Sequence, residues 1–346
     1  MTTDVLLEWV IKSALILFVL VTAVAYLTFL ERKIMSWIQL RIGPNRVGPW
    51  GLLQPLADGV KMIFKEDIIP TEANKWLYIA APAISLIPAL MTFIVIPYGG
   101  VVHLPILNRD VALHVTNMNI GLLYIFALTS LGVYGLVLAG WASNNKFSLL
   151  GGLRSSAQMI SYELAFGISI VSVLLYTGTL DLTEIVGKQS GRFGVFGWNI
   201  FKPPLFLVVI VYYIASLAEC NRTPFDLPEA ESELVAGYHT EYSSMKFVMF
   251  QMAEYINLIT ASSIAVTLFF GGYIGPKVDV YPWLGLVYFV AKVMVLILLA
   301  MWIRFTLPRF RYDQLMRFGW KILLPAAIIN VIITATVVLI WPPYHP

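Results

Sequence analysis

Apolar residues run along this chain in blocks of about 20, without period-2 alternation, and short polar stretches between the blocks hold most of the charge. Blocks of that length read as helices that cross a bilayer, whereas barrel strands would alternate lipid-facing and lumen-facing positions. Eight spans are predicted, at about 5–30, 76–97, 118–141, 157–177, 203–220, 246–271, 283–304 and 321–341. The stretch GLLQPLADGVKMIFKE follows a different rule. Leu52, Leu56, Val60, Ile63 and Phe64 share one helical face, and Gln54, Asp58, Lys61 and Lys65 share the other. This predicts an amphipathic helix at the membrane surface. Asp58 sets it apart, because an anionic lipid surface favours a basic face and has no need of an acid in its middle. Before this helix, RIGPNRVGP (Arg41–Pro49) reads as consecutive turns.

With 59% hydrophobic and only 12% charged residues, the 346-residue chain has too little polar surface to coat a soluble core. The expected fold is all-α: a polytopic transmembrane bundle forming one integral membrane domain over 1–346, with inner loops at 31–75, 142–156, 221–245 and 305–320. The first span is expected to be a retained helix rather than a signal peptide. Asp4 and Glu8 flank it, and Glu31-Arg32-Lys33 closes it without a small-residue cleavage site. Lys and Arg crowd the loops after odd-numbered spans and are sparse in the others, which puts those loops in the cytoplasm (or a mitochondrial matrix) and both termini on the periplasmic side. The sequon Asn221-Arg222-Thr223 then falls on the inner face, as a chance match. The single cysteine, Cys220, can hold neither an internal disulfide nor an iron–sulfur cluster. His103, His114, His239 and His345 lie outside the middles of the spans, which argues against a membrane haem. No metal site and no bound cofactor are expected, so electrons would have to come from a partner.

Three carboxylates fall inside spans. Glu163 and Glu254 lie about two turns into the fourth and sixth, and Glu219 closes the fifth, all in the same half of the membrane. Lys292 falls near the middle of the seventh. Desolvation and mutual repulsion disfavour the fully ionised cluster, which is the condition for a proton relay. The acids continue into ECNRTPFDLPEAESELVAGYHTEY, where Pro224 and Pro228 break the path and a helix is expected to restart near Glu229. Acids in a first turn are favoured by the helix dipole without any function, so the loop alone proves little. Together with Glu163, Glu219 and Glu254 it forms a continuous acidic path. The last inner loop, with Arg304, Arg309, Arg311, Arg317 and Lys321, is more basic than the positive-inside rule alone explains at its PRFRYD turn, and it suits a docked soluble subunit or a polar headgroup.

The blocks ERKIMSWIQLRIGPNRVGPWGLLQPLADGVKMIFKE, GWASNNKFSLLGGLRSSAQMISYE, ECNRTPFDLPEAESELVAGYHTEY, FQMAEY and PRFRYDQLM closely resemble, in order, those of the quinone-site membrane subunit of respiratory complex I, the family called H-type in bacteria and ND1 in mitochondria. That resemblance implies a subunit of proton-translocating NADH:quinone oxidoreductase without a redox centre of its own. Quinone would be the substrate, with iron–sulfur clusters and FMN in partner subunits. The implied partners are the terminal iron–sulfur cluster subunit, a hydrogenase-like quinone-site subunit, a ferredoxin-like iron–sulfur subunit and small membrane subunits. The lipid bilayer is a further partner, and no nucleic acid is. The chain would sit in a bacterial cytoplasmic membrane, or a mitochondrial inner membrane if organellar. By motif, Arg32, Arg41, Asp58, Phe225, Arg304 and Arg309 would line the quinone chamber. Glu163, Glu219, Glu229, Glu231, Glu233 and Glu254 would form the proton relay. Ala230 and Ser244 stand where the family commonly has glycine, and neither change removes a titrating group. A related subunit of energy-converting hydrogenases and a stand-alone proton-coupled transporter are the alternatives. The basic first loop favours the quinone branch, and no internal repeat supports a transporter.

Overall fold

The computed structural model describes residues 3–104, 109–190, 195–226, 235–278 and 280–341. Within them the bundle is built from α1 (Thr3–Ile38), α3 (Lys75–Met91), α4 (Gly121–Ala142), α5 (Lys146–Thr177), α7 (Leu205–Glu219), α8 (Ser244–Phe269), α9 (Leu284–Thr306) and α11 (Leu324–Ile340). Three shorter helices flank these: α2 (Gln54–Phe64), α6 (Leu182–Gly187) and α10 (Tyr312–Phe318), the last running through a π turn, Gly319–Leu323, into α11. One antiparallel hairpin pairs β1 (Val101–Leu104) with β2 (Arg109–Ala112), Val101 opposite Ala112. Seven of the helices are long and apolar enough to cross a membrane. The eighth expected span, α7, has the composition but only 15 residues. The polytopic helical architecture is therefore as expected.

Burial orders the bundle. α8 is the central helix, with 78% of its most apolar stretch enclosed against 17% for α1 on the rim. It packs on α3, α7 and α9, while α5 contacts α4, α7 and α11. The largest boundary difference is at α5, which starts at Lys146 rather than near 157 and so absorbs most of the expected 142–156 loop. Asn145 caps it by accepting from Phe147 N at 2.9 Å. The polar run that reads as a loop (Ser148, Ser155, Ser156) is buried between neighbouring helices instead. At the other end of the first loop, α1 continues through Glu31-Arg32-Lys33 to Ile38. The turns of Arg41–Pro49 fold back so tightly that a Cβ on Gly51 (φ 84°) would collide with the Pro44 carbonyl oxygen. α2 then presents Leu56, Val60, Ile63 and Phe64 as an exposed apolar face, as the periodicity predicts.

Candidate quinone chamber and acidic path

The last turns of α1 and α9, the segment after α7, and α8 meet at one buried carboxylate. Glu31, 6% exposed, accepts from Arg222 at 3.1 Å, from Arg304 through a short ion pair, and from the Tyr255 hydroxyl at 2.5 Å. Arg222 stacks 4.0 Å from the centre of the Tyr255 ring. Burial works against the charge on Arg222, but Glu31, then Tyr255 and Glu254, outweigh it and hold the guanidinium above its ordinary pKa. Sequence reasoning misses this cluster. In sequence Glu31 reads as part of a stop signal, Arg222 as part of a chance sequon, and Tyr255 only as a motif letter. A lone acid inside the apolar block LTFLERK is the available clue.

The chamber candidates gather around this cluster to different degrees. One helical step from Glu31, Arg32 pairs with Asp58 of α2, whose other oxygen accepts from Gln54 at 3.0 Å. The acid that stands out on the amphipathic helix thus ties that helix to α1. Arg309 reaches Asp226 at 3.0 Å, and Phe310 N donates to the Pro224 carbonyl at 3.1 Å, docking the last loop on TPFD. Phe225 is only 4% exposed in this chain, with Phe310 stacked at 5.6 Å and Phe318 and Tyr162 nearby. Arg41 is exposed and bonds to Gln39 at 2.7 Å, so the structure does not bring it into direct contact with the others.

Below this layer the acids converge. Two adjoining cavities, each about the size of one water molecule, share Glu219, Cys220 and Asn257 in their walls. One is otherwise lined mainly by apolar groups such as Phe126 and Phe166, with Thr129 and Thr260, and the other includes Glu254 and Asn221. Glu163 lies close enough to Glu219 to act on it electrostatically, and its carboxylate accepts from Ser130 of α4. Glu254 accepts from the Tyr238 hydroxyl at 2.9 Å. Because α5 starts early, Glu163 is about 25 Å along its helix and Glu254 about 15 Å along α8, yet Glu219 links them. Glu229, Glu231 and Glu233, and the restart expected near Glu229, lie outside the described residues.

Lys292 does not join the acids. Its ammonium donates to the carbonyls of Phe270 (2.8 Å), Gly272 (2.9 Å) and Ile274 (2.8 Å), 4.2 Å from the Trp198 ring. Those carbonyls lie just beyond the C-terminal end of α8, where partial negative charge attracts a cation. No group of three or more potential metal ligands occurs among the described residues.

A polytopic helical protein with partly buried carboxylates inside the bundle, two of them lining small adjoining cavities, and arginine–carboxylate pairs at one end falls in the class of membrane proteins that handle charge inside a bilayer. Comparison with known proteins is more specific. Residues 11–335 match the NADH dehydrogenase family. The chain is 50% identical over 345 residues to an H-type subunit of the NADH-quinone oxidoreductase of Cytophaga hutchinsonii, covering 98% of each. It is 54% identical over 314 residues to the corresponding subunit of Protochlamydia amoebophila (91% of this chain, 92% of the relative), and 52% over 338 to one of Geobacter sulfurreducens (95% and 94%). The chain belongs to this family of H-type NADH-quinone oxidoreductase subunits, and so is an integral membrane component of an enzyme complex. Neither the hydrogenase-type alternative nor the stand-alone transporter is favoured.

Proposed function

We propose that this chain forms the membrane wall of the quinone chamber and carries the charge change of quinone reduction to proton-translocating neighbours through its carboxylates. The observation that carries this reading is Glu219. It stands between Glu163 and Glu254, borders both cavities, and lies three residues from Arg222 at the end where Arg304, Arg309 and the Arg32–Asp58 pair collect. The names of the relatives supply quinone as the substrate. In this reading Arg32, Arg41, Asp58, Phe225, Arg304 and Arg309 face the chamber. Phe225 would contact quinone only where the Phe310 and Phe318 stack opens toward a partner. Glu163, Glu219 and Glu254, with Glu229, Glu231 and Glu233, pass the proton signal. Fields in a poorly screening interior reach far enough for such coupling without a moving part in every step.

The chain acts as one domain, its termini on the periplasmic side of a bacterial cytoplasmic membrane. The FMN and iron–sulfur clusters belong to partners, including the terminal iron–sulfur cluster subunit, the hydrogenase-like and ferredoxin-like subunits and small membrane subunits. Glu219→Gln and Glu163→Gln in the assembled complex test the reading, with quinone reductase activity and proton uptake measured together in proteoliposomes. Each variant should assemble and lose most of its proton uptake. Full retention of both activities in both variants would sink it.

A further inference from the structure

The basic cluster of the last loop divides into two parts in the folded chain. Arg309 and Arg311 are spent on acids, Asp226 at 3.0 Å and Asp313 at 2.9 Å. Arg317 and Lys321 are exposed, and among the described residues their side chains have no ion-pair or hydrogen-bond partner. We propose that these two cations, with the Trp320 indole between them, bind the phosphodiester headgroup of an anionic phospholipid. Such a site lies on the rim of the bundle and stands or falls apart from the chamber and the relay.

α10 passes through the π turn into α11 without a break, so the cations and the residues after them form one continuous helical run. Arg317 and Lys321 are one turn apart, about 6 Å along the axis, and their long side chains can reach a single phosphate. Immediately beyond them the exposed positions turn apolar, at Ile322, Ile328, Ile329, Ile332 and Ile333. Two cations followed by a row of exposed isoleucines complement a lipid that carries negative charge at the head of its acyl chains. A soluble partner would match the cations and leave the isoleucines bare. A neutral lipid would match the isoleucines and leave the cations without a counter-charge.

Trp320 gives the site a fixed wall. Its Nε1 donates to Ser161 Oγ of α5 at 3.2 Å, while the residue stays 48% exposed. An amphipathic indole between a charged head and apolar chains is the usual occupant of a membrane interface. The Tyr162 hydroxyl donates to the Leu315 carbonyl at 2.9 Å and holds α10 on α5, so the wall does not drift. Asp313 is the one acid in the 312–340 sequence, one turn before Arg317, and Arg311 already holds it. No other carboxylate on these helices competes with a headgroup.

The test uses the whole complex, delipidated in a nonionic detergent and given phosphatidylglycerol or phosphatidylcholine with a photoactivatable acyl chain. Mass spectrometry then counts lipid adducts on the peptide that carries residues 322–333. Phosphatidylglycerol should label it about ten-fold more than phosphatidylcholine at equal mole fraction. Arg317→Gln and Lys321→Gln should each lower that labelling about five-fold at low salt, and together about 25-fold. Arg317→Lys should keep most of it, because it keeps the charge. Unlabelled phosphatidylglycerol should compete, and inorganic phosphate at the same concentration should not, since it lacks the chains. The proposal is overturned if the two lipids label equally, or if the double variant labels like wild type. It is overturned too if inorganic phosphate displaces the lipid as well as phosphatidylglycerol does, or if the peptide crosslinks to a partner subunit in place of lipid. If the double variant does not assemble, salt decides on the wild-type complex. The preference for phosphatidylglycerol should then shrink in about 0.5 M NaCl, and a preference that salt leaves unchanged would overturn the proposal.

Discussion

Replacing Gly151 by alanine should damage this protein, while the same change at Gly167, sixteen residues along the same helix, should not. A Cβ at position 151 would lie 2.7 Å from the Cα and carbonyl carbon of Gly237 and from the amide nitrogen of Tyr238, all backbone atoms that no rotamer change can clear. The helix and the 237–239 turn would have to part by about 1 Å to restore ordinary contact. Overpacking of this kind costs about 1–3 kcal/mol. The bond from Ser148 Oγ to the Tyr238 carbonyl, 2.9 Å, would weaken as well, at about 1 kcal/mol. Replacing a helical glycine returns up to about 1 kcal/mol. The net is a loss of about 1–3 kcal/mol, placed where Tyr238 holds Glu254. At Gly167 nothing lies within 4 Å of the added methyl, so only the helix gain remains, about 0.5–1 kcal/mol. Thermal inactivation of the detergent-solubilised complex, with the yield of assembled complex from membranes, measures both. Equal midpoints for Gly151→Ala and wild type, or equal damage at the two sites, would refute the reasoning.

Other expectations concern the two ends of the bundle. Lys292→Met strips a cation from three carbonyls and should lower stability by about 2–4 kcal/mol, seen as a lower inactivation midpoint. Arg309→Gln releases Asp226 and loosens the Phe310–Phe225 stack, and should raise the quinone KM by about 3- to 10-fold with a smaller change in kcat. Burial, then Lys12, hold the His114 pKa below its ordinary 6.5, with Asp181 opposing them. The unfolded form binds the proton more readily, so stability is present above 6.5 and falls as pH drops below it. Protection of the β1–β2 amides against hydrogen exchange, taken relative to the unfolded-chain rate at each pH, should fall below pH 6.5 and lose that dependence in His114→Gln; the hairpin is anchored by the bond from Lys12 to the Ala112 carbonyl at 2.9 Å.

The helical bundle is legible in the sequence because bilayer crossing imposes length and uniform apolarity, which a sequence displays directly. The acids are legible for the same reason, since Glu163, Glu219 and Glu254 stand out against apolar neighbours. What composition cannot show is pairing. Asp58 belongs to Arg32, and Asp226 to Arg309, through contacts 26 and 83 residues apart that only the tertiary fold determines. Lys292 misleads for a related reason. Its position in the seventh span suggests the midplane, but α9 starts at Leu284 and the lysine is met by carbonyls beyond the far end of α8. The start of α5 is hidden because polarity normally marks a loop, whereas Ser148 and Ser155 are buried against the turn near Tyr238 and the Asn221 side chain just after α7, and spend their polar groups there. Gly151 is silent in sequence, as a glycine needed for close approach looks like any other.

The acidic segment between α7 and α8 has both its feet on one rod. Gln158 of α5 donates to the carbonyls of Ala218 (2.9 Å) and Phe225 (2.7 Å), and Ser148 and Gly151 of the same helix clasp Gly237 and Tyr238. Ser148 and Gln158 are ten residues apart, about 15 Å of rigid helix. Their separation is set by the hydrogen-bonded helix that carries both contacts. Glu163 rides on the same rod, five residues beyond Gln158. A push on α5 from either side would therefore carry the feet of the acidic segment and the first intramembrane carboxylate together, as a single lever arm.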